Sequence, residues 1–392
     1  MVDIRKRRIN ILYFAPCGLG EGVGGGARLR NMVATLQQLK ANTRLISYLP
    51  GEKSGVTHEQ ISNCLNTTTI SVNRSFPKIF KVFALGAVFV CGLEHIRSKN
   101  IIFAHAPTIV SGFPAFILAR IFRKPLVIDH MDIKDPDTPR FVYKRVLKGS
   151  DIVFAISRYL EEEVKQIGGH NVVYLPIFID ADVFQKDQEA RVEVRKRLGL
   201  DQKEIVIGYA GSFSHTEGLP FLLKAFKSLS SKHENIKLVI VGGRNVPGSD
   251  DVAQLVSELA LNRAILVPPQ PHELMPRYLS AFDIACSPKI DCPENRAANP
   301  IKIYEYMSMG LPMVISAVGE PAKVIENGFD GFLVKPGDEK DLEKTLEYVI
   351  QNLDSAKEAG ERAREKIIRN YTQEVMVARI EAALRRLTEI GR

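Results

Sequence analysis

The feature that most constrains this chain of 392 residues is a rhythm that stops once and starts again. In the first half, short apolar runs (Ile9–Phe14, Thr43–Tyr48, Asn100–His105, Pro125–Asp129, Ile152–Ile156, Val172–Leu175) alternate with amphipathic stretches such as Ala27–Leu39 and Val110–Ile121. Residues Gln185–Gln202 are polar and charged and lack strand character. The rhythm resumes with Glu204–Ala210, Lys237–Val241, Ala264–Val267, Asp283–Cys286, Pro312–Ser316 and Gly331–Val334, with helical patterns such as Gly218–Leu229 and Asp338–Leu353 between them. Strands alternating with helices predict parallel, doubly wound sheets. The restart predicts two α/β, Rossmann-like domains, 1–184 and 185–372. The last helix, Gln373–Thr388, carries Met376, Ile380, Leu384 and Leu387 on one face, needs a surface to pack on, and assigns 373–392 to the first domain. Such sheets bind ligands at the carboxyl ends of their strands, so two domains facing across a cleft are expected to form a cleft enzyme.

Composition narrows the partners. Net charge is +8 with a pI near 9.1, which suits anions: phosphates, or an acidic membrane surface. The basic cluster Lys6, Arg7, Arg8 is too small to indicate nucleic-acid binding, and no such motif is present. Five cysteines without zinc-type spacing fit a reduced, cytoplasmic setting. The charged lead into Ile9 lacks a signal-peptide cleavage pattern. The longest apolar stretch, Val82–Leu93, is shorter than the ~20 residues a spanning helix needs, and reads as a buried helix or a membrane-docking face.

After the first strand comes a glycine-rich stretch from Gly18 to Gly26. Glycines let backbone amides approach a phosphate, and a following helix adds its positive end. The spacing Gly20, Gly22, Gly25 formally matches a dinucleotide fingerprint, but the stretch is long, and Thr43–Tyr48 ends without the acidic residue that would hold a ribose. A loop that closes over a sugar diphosphate fits better. A mobile surface loop is the other reading.

The most informative segment runs from Glu294 to Pro312. Residues before Pro300 read as loop, Pro300 suits a first helical turn, and Gly310 ends the helix. The helix start suits an anion. Lys302 and Glu305 share a face, where a cation and a carboxylate fit a phosphate and a ribose diol. A plain surface ion pair remains the other reading.

The run Pro300-Ile-Lys302-Ile-Tyr-Glu305-Tyr-Met-Ser-Met-Gly310-Leu-Pro312 resembles the donor-site signature of the GT-B retaining glycosyltransferases of family GT4. Gly25-Gly26-Ala-Arg-Leu-Arg30 resembles that family's first-loop motif, and Leu175-Pro-Ile-Phe-Ile-Asp180…Phe184 its interdomain turn, with Ile177 where Asn is usual. Gly208-Tyr-Ala-Gly211, Glu217-Gly218-Leu, Leu238–Gly243, Pro271-His-Glu273-Leu and Gly331–Asp338 follow in the family's order. The resemblance implies a GT-B architecture. It implies that Glu305 holds the ribose, that Asn299, Pro300 and Ile301 face the diphosphate, and that Gly25 and Gly26 close on the same phosphates. Gly211 and Ser212 would border the donor. On the acceptor side, Arg30 falls in the first-loop motif, and His105 and His130 lie at or just beyond strand ends. His130-Met-Asp132 resembles the family's acceptor-side His region, which implies a residue that orients an acceptor hydroxyl or the sugar. A hydrogen-bonded strand-end histidine is the other reading for both. No metal and no cofactor are implied, and the formal pair Asp180-Ala-Asp182 reads as structural.

The departures are specific. The first acidic position of the usual pair is Ala297, and the usual Arg and Lys on the diphosphate are Ser212 and Glu217. Arg296 and Lys302, which flank the helix start, are expected to replace those cations and to stabilise the leaving diphosphate. The function expected is retaining, metal-free transfer of a hexosyl or N-acetylhexosaminyl unit. The donor would be a UDP- or GDP-sugar and the acceptor a glycan or lipid-linked glycan of the cell envelope, with peripheral membrane contact. A non-catalytic subunit of the same fold, and a sugar-nucleotide epimerase or hydrolase, are the alternatives.

Overall fold

The structure, a computed structural model, describes residues 9–19, 24–51, 53–73, 80–243 and 249–390. The chain forms two compact units, Met1–Pro176 with Gln373–Arg392, and Ile177–Thr372.

The first unit follows the expected alternation. It comprises β1 (Asn10–Ala15), α1 (Gly24–Gln38), β2 (Asn42–Gly51), β3 (Gly55–Ser62), β4 (Leu65–Asn73), α2 (Phe80–Ile96), β5 (Ile101–His105), α3 (Gly112–Phe122), β6 (Leu126–His130), α4 (Arg140–Lys148), β7 (Ile152–Ala155), α5 (Arg158–Ile167) and β8 (Val172–Tyr174). Its eight strands lie in the order β3-β4-β2-β1-β5-β6-β7-β8. All neighbours are parallel except β3 and β4. That hairpin was not expected from sequence. β3 reads Gly-Val-Thr-His-Glu-Gln-Ile-Ser and is exposed almost throughout, so no apolar alternation marks it. It is held by its ladder to β4, whose Leu65, Thr67, Thr68 and Ile70 are buried.

The apolar run Val82–Leu93 lies in α2, which buries one face against the sheet and α3 and leaves Val90 and Leu93 exposed. No described helix is long and apolar enough to cross a membrane. Val88 and Ile96 are buried. Gly92 marks the closest approach: a Cβ there would lie 2.6 Å from Leu118 of α3 and 2.9 Å from Phe14 of β1.

The second unit comprises α6 (Gln188–Arg197), β9 (Ile205–Gly211), α7 (Leu219–Lys232), β10 (Ile236–Gly242), α8 (Ser249–Glu258), β11 (Ala264–Val267), α9 (Met275–Ser280), β12 (Ile284–Ser287), α10 (Pro293–Ala297), α11 (Ile301–Ser308), β13 (Met313–Ser316), α12 (Pro321–Val324), β14 (Phe332–Val334), α13 (Glu339–Gln351) and α14 (Leu353–Asn370). Its six strands are all parallel, ordered β11-β10-β9-β12-β13-β14. The sheet is buried on both faces, so its strands read as continuous Val, Ile and Leu runs. A final helix, α15 (Gln373–Ile390), belongs to the first unit. Its Met376, Ile380, Leu384 and Leu387 are all buried, as the stripe required.

Two boundaries differ from expectation. The division falls at Pro176/Ile177 rather than at 184/185, because the turn 177–184 is bonded into the second unit. Ile179 N donates to Tyr371 O (2.9 Å), and Phe184 O accepts from Ser308 Oγ (2.7 Å) and Arg364 Nη1 (3.1 Å). Asp180 Oδ1 in this turn accepts from the amides of Asp182 (3.1 Å) and Val183 (3.2 Å), which engages it in the backbone. The polar segment Gln185–Gln202 is largely the helix α6. Its polar pattern arises because its inner face carries a cation: Arg195 is fully buried, donating to Ala281 O (3.1 Å), Asp201 O (3.0 Å) and Glu204 O (3.0 Å), and is ion-paired with Asp283.

The glycines of α2 separate packing from propensity. Gly86 has open space around its Cβ position, so Gly86→Ala is expected to stabilise by up to about 1 kcal/mol. Gly92→Ala is expected to destabilise by about 1–3 kcal/mol through overpacking. Urea denaturation of both variants reads the contrast.

Candidate functional site

In each sheet the strand order reverses beside the first strand, between β1 and β5 in one unit and between β9 and β12 in the other. The carboxyl ends of such strands form the crevice where ligands bind in open α/β sheets.

In the second unit β9 ends at Gly211, in a conformation (φ 149°) that side chains rarely adopt. Bare backbone is required here: a Cβ on Gly211 would lie 2.7 Å from Lys302 Nζ, and one on neighbouring Gly242 would lie 1.8 Å from Gly211 O. The loop after β9 then closes onto the loop after β12. Gly218 (φ 70°) would put a Cβ 1.9 Å from Pro288 O. Thr216 O accepts from Ile290 N (3.2 Å) and from Asn295 Nδ2 (2.8 Å).

Between these loops lies a buried group of charges. Glu217 Oε1 accepts from Lys289 Nζ (2.8 Å) and Oε2 from Lys302 Nζ (2.6 Å). Lys289 also donates to Asn295 Oδ1 (2.9 Å). Lys302 also donates to the Tyr209 hydroxyl (2.9 Å) and lies over that ring, 4.3 Å from its centroid. Burial pushes the Glu217 carboxyl up, but Lys302 and Lys289 outweigh it and hold the group at about 2. Burial pushes Lys302 down, opposed by Glu217. Glu217, the replacement that seemed to cost the site a cation, is thus the counter-ion of two.

The helix start around Pro300 is built differently from its sequence expectation. Residues 293–297 are not loop but the short helix α10, with buried Ala297 at its end. Asn299 is buried, Pro300 caps α11, and Ile301 is its first residue. Glu305, one turn into α11, is 4% exposed and bonds His272 at 2.7 Å between Oε1 and Nε2. Tyr209, His272, Lys289 and Asn295 were not singled out from sequence. A lone lysine or histidine in a loop carries no spacing signal. What identifies Lys289 is its place just after β12, at the switch point.

Arg296 is half-exposed on α10 and paired with exposed Asp291, Nε to Oδ1 at 2.6 Å. Ser212 instead uses its carbonyl, accepting from the Tyr209 hydroxyl (2.6 Å).

The first unit's switch point holds a second buried network. The Arg28 guanidinium, 2% exposed, donates to Asp129 Oδ1 (2.7 Å) and to Pro176 O (2.9 Å), and His105 Nδ1 lies 3.1 Å from Asp129 Oδ2. Burial pushes the Asp129 carboxyl up, but Arg28 and His105 more than reverse this and hold it well below the usual range. His105 and His130 are both wholly buried at their strand ends. His130 Nε2 lies 3.0 Å from the Tyr143 hydroxyl, which donates to Glu163 (2.7 Å). Arg30 Nη1 donates to Leu19 O (2.8 Å) rather than facing outward alone. Gly25 and Gly26 belong to the first turn of α1, not to a loop; residues 20–23 lie outside the described residues.

Two parallel-sheet units, each with a polar switch point, define the GT-B class of fold. Solved structures agree. Sucrose-phosphate synthase from Thermosynechococcus elongatus matches over 98% of this chain and 100% of its own, with TM-score 0.79 at 18% identity. The Anabaena protein Alr3699/HepE, solved in complex with UDP-glucose, matches over 96% and 99%, with TM-score 0.76 at 18% identity. Residues 190–366 match the model described as "Glycosyl transferases group 1", so this stretch of the chain is similar to that family. Among relatives, the Putative teichuronic acid biosynthesis glycosyltransferase TuaC of Bacillus subtilis is 29% identical over 45% of this chain, an alignment that spans only 41% of TuaC. The D-inositol 3-phosphate glycosyltransferase of Corynebacterium jeikeium is 25% identical over 88% of each chain.

Asp129→Asn would leave Arg28 buried without its counter-charge, an expected loss of about 3–5 kcal/mol. A carboxyl held below its ordinary value of 3.8 contributes stability that is complete above that pH and fades as pH falls toward the folded value. The stability curve of Asp129→Asn is therefore expected to be flatter below about pH 4 than that of the parent. Denaturation across pH checks both statements.

Proposed function

We propose that this chain transfers a hexosyl or N-acetylhexosaminyl unit, with retention and without metal, from a UDP- or GDP-sugar to a glycan or lipid-linked acceptor. The observation that carries this reading is the placement of Lys302 against bare Gly211 at the switch point of a domain similar to the group 1 family, with buried Glu305 on the next turn of α11. A cation there suits the donor's diphosphate and the leaving nucleotide, and the carboxylate suits a ribose diol. The UDP-glucose complex of HepE supports a nucleotide-sugar donor.

The test is a thermal-shift screen of the full chain against UDP, GDP, ADP and their sugars. One of UDP or GDP is expected to raise Tm; at 100 times Kd the gain is about 2.7 kcal/mol. Turnover is expected to fall with Lys302→Ala and hardly change with Arg296→Ala, since Arg296 is tied to Asp291 on the surface. Response to none of these compounds would favour the non-catalytic reading, which Ala297, Ser212 and Glu217 motivate. Sugar release without acceptor would favour a hydrolase.

The acceptor side of the proposal includes peripheral contact with an anionic membrane. α4 turns Arg140, Phe141, Lys144 and Lys148 outward, and Phe141 is 74% exposed. Cations around an aromatic suit such a surface. Co-sedimentation with phosphatidylglycerol vesicles is expected at low salt, with loss in Phe141→Asp. Equal recovery of both proteins would remove this part of the proposal.

A further inference from the structure

Glu217 poses a question that the proposed reaction leaves open. A carboxylate in the loop after β9 repels a diphosphate, yet it is buried there with two lysines closed on it. The lysines come from different elements, Lys289 from the loop after β12 and Lys302 from α11. Two ammonium groups brought together in a buried site repel strongly, because little solvent screens them. A single carboxylate offering one oxygen to each removes that repulsion and fixes both ammonium positions. The group of three then carries a net single positive charge.

The donor inventory shows what remains. An ammonium has three N–H donors. Lys289 uses two, on Glu217 and Asn295, and Lys302 uses two, on Glu217 and Tyr209. Each lysine has one donor left for a ligand. Tyr209 fixes Lys302 from the strand below, Asn295 fixes Lys289 from α10, and Gly211 keeps the space beside Lys302 free of a side chain.

We propose that Lys289 and Lys302, bridged by Glu217, form one preassembled two-ammonium site for the diphosphate of the donor, with Lys289 a binding residue and Glu217 a positioning residue. This rests on the nucleotide-sugar reading and goes beyond it. The cations expected of the loop after β9 are supplied by the β12 loop and by α11, and the acidic substitution is what makes that supply workable. Preorganised charge of this kind acts on the ground state and on the charge of the departing nucleotide without reorganising when the bond breaks.

Calorimetry on the full chain tests it, with UDP and GDP, with uridine and guanosine as phosphate-free controls, and with pyrophosphate, from pH 6.5 to 9.5. For whichever diphosphate binds, Lys289→Gln is expected to weaken binding roughly 10- to 100-fold while leaving the nucleoside unchanged. Glu217→Gln is expected to do the same and to move the alkaline loss of binding to lower pH. The groups around Lys302 are Glu217, Lys289, Glu305, Tyr209 and Cys286, and Glu217 is the carboxylate bonded to it, so its removal makes the ammonium easier to deprotonate. Glu217→Asp is expected to recover part of the affinity. A purely structural ion cluster predicts otherwise: nucleoside and diphosphate affinities fall together, or neither falls, and the pH profile stays put. Either result overturns the proposal. Should Glu217→Gln not fold, Lys289→Gln decides alone, since it leaves the Glu217–Lys302 pair in place. Failure of the parent protein to bind any diphosphate or pyrophosphate would overturn the nucleotide-sugar reading along with the site. Parent binding that the variants retain would overturn the site only.

Discussion

Two loops leave adjacent strands on opposite sides of a topological reversal, and in this protein a buried carboxylate, together with the bonds to Thr216 O, joins them. Glu217 ends the 3-10 turn after β9 and reaches Lys289 beyond β12 and Lys302 on α11. The backbone permits this only because Gly218 lacks a side chain where Pro288 O passes. Losing either half of the arrangement costs more than one ion pair. A buried ammonium without its counter-charge is far less stable than the same pair intact.

Much of the fold was legible from residue patterns. The doubly wound sheets and the buried stripe of α15 follow from short apolar runs and a period-3.6 signal that arise from burial itself. What was not legible has a common cause: structure held by backbone or by buried charge leaves no apolar pattern. β3 is wet on both faces and exists because β4 offers it a ladder. α6 hides a cation rather than a leucine on its inner side. The turn 177–184 belongs to the second unit through main-chain bonds that no side chain announces.

The site was half legible, and for related reasons. Glu305 and Lys302 sit on a helix with start and stop signals, so spacing alone places them on one face. Sequence can say that a cation has become Glu217. It cannot say that the acid is enclosed by lysines from two other elements, because nothing in the spacing of positions 217, 289 and 302 joins them. The same gap leaves both readings of the histidines open in the sequence. His105 and His130 stand at strand ends as expected, but Asp129, Arg28 and Tyr143 draw them into the interior. Strand ends at a switch point are where buried polar networks and ligand contacts both form, and position along the chain does not separate the two.

The placement of α15 bears on how the molecule comes to be made. The unit that begins at the amino terminus is discontinuous: its last helix lies beyond the whole of the second unit. Met376, Ile380 and Leu384 are buried in a helix that packs on α1, so that face of the first unit is covered only by residues that follow the whole of the second unit. The second unit has no such debt, since Ile177–Thr372 is one uninterrupted stretch. The second unit can therefore complete its core from one stretch of chain, whereas the first needs residues from both sides of it.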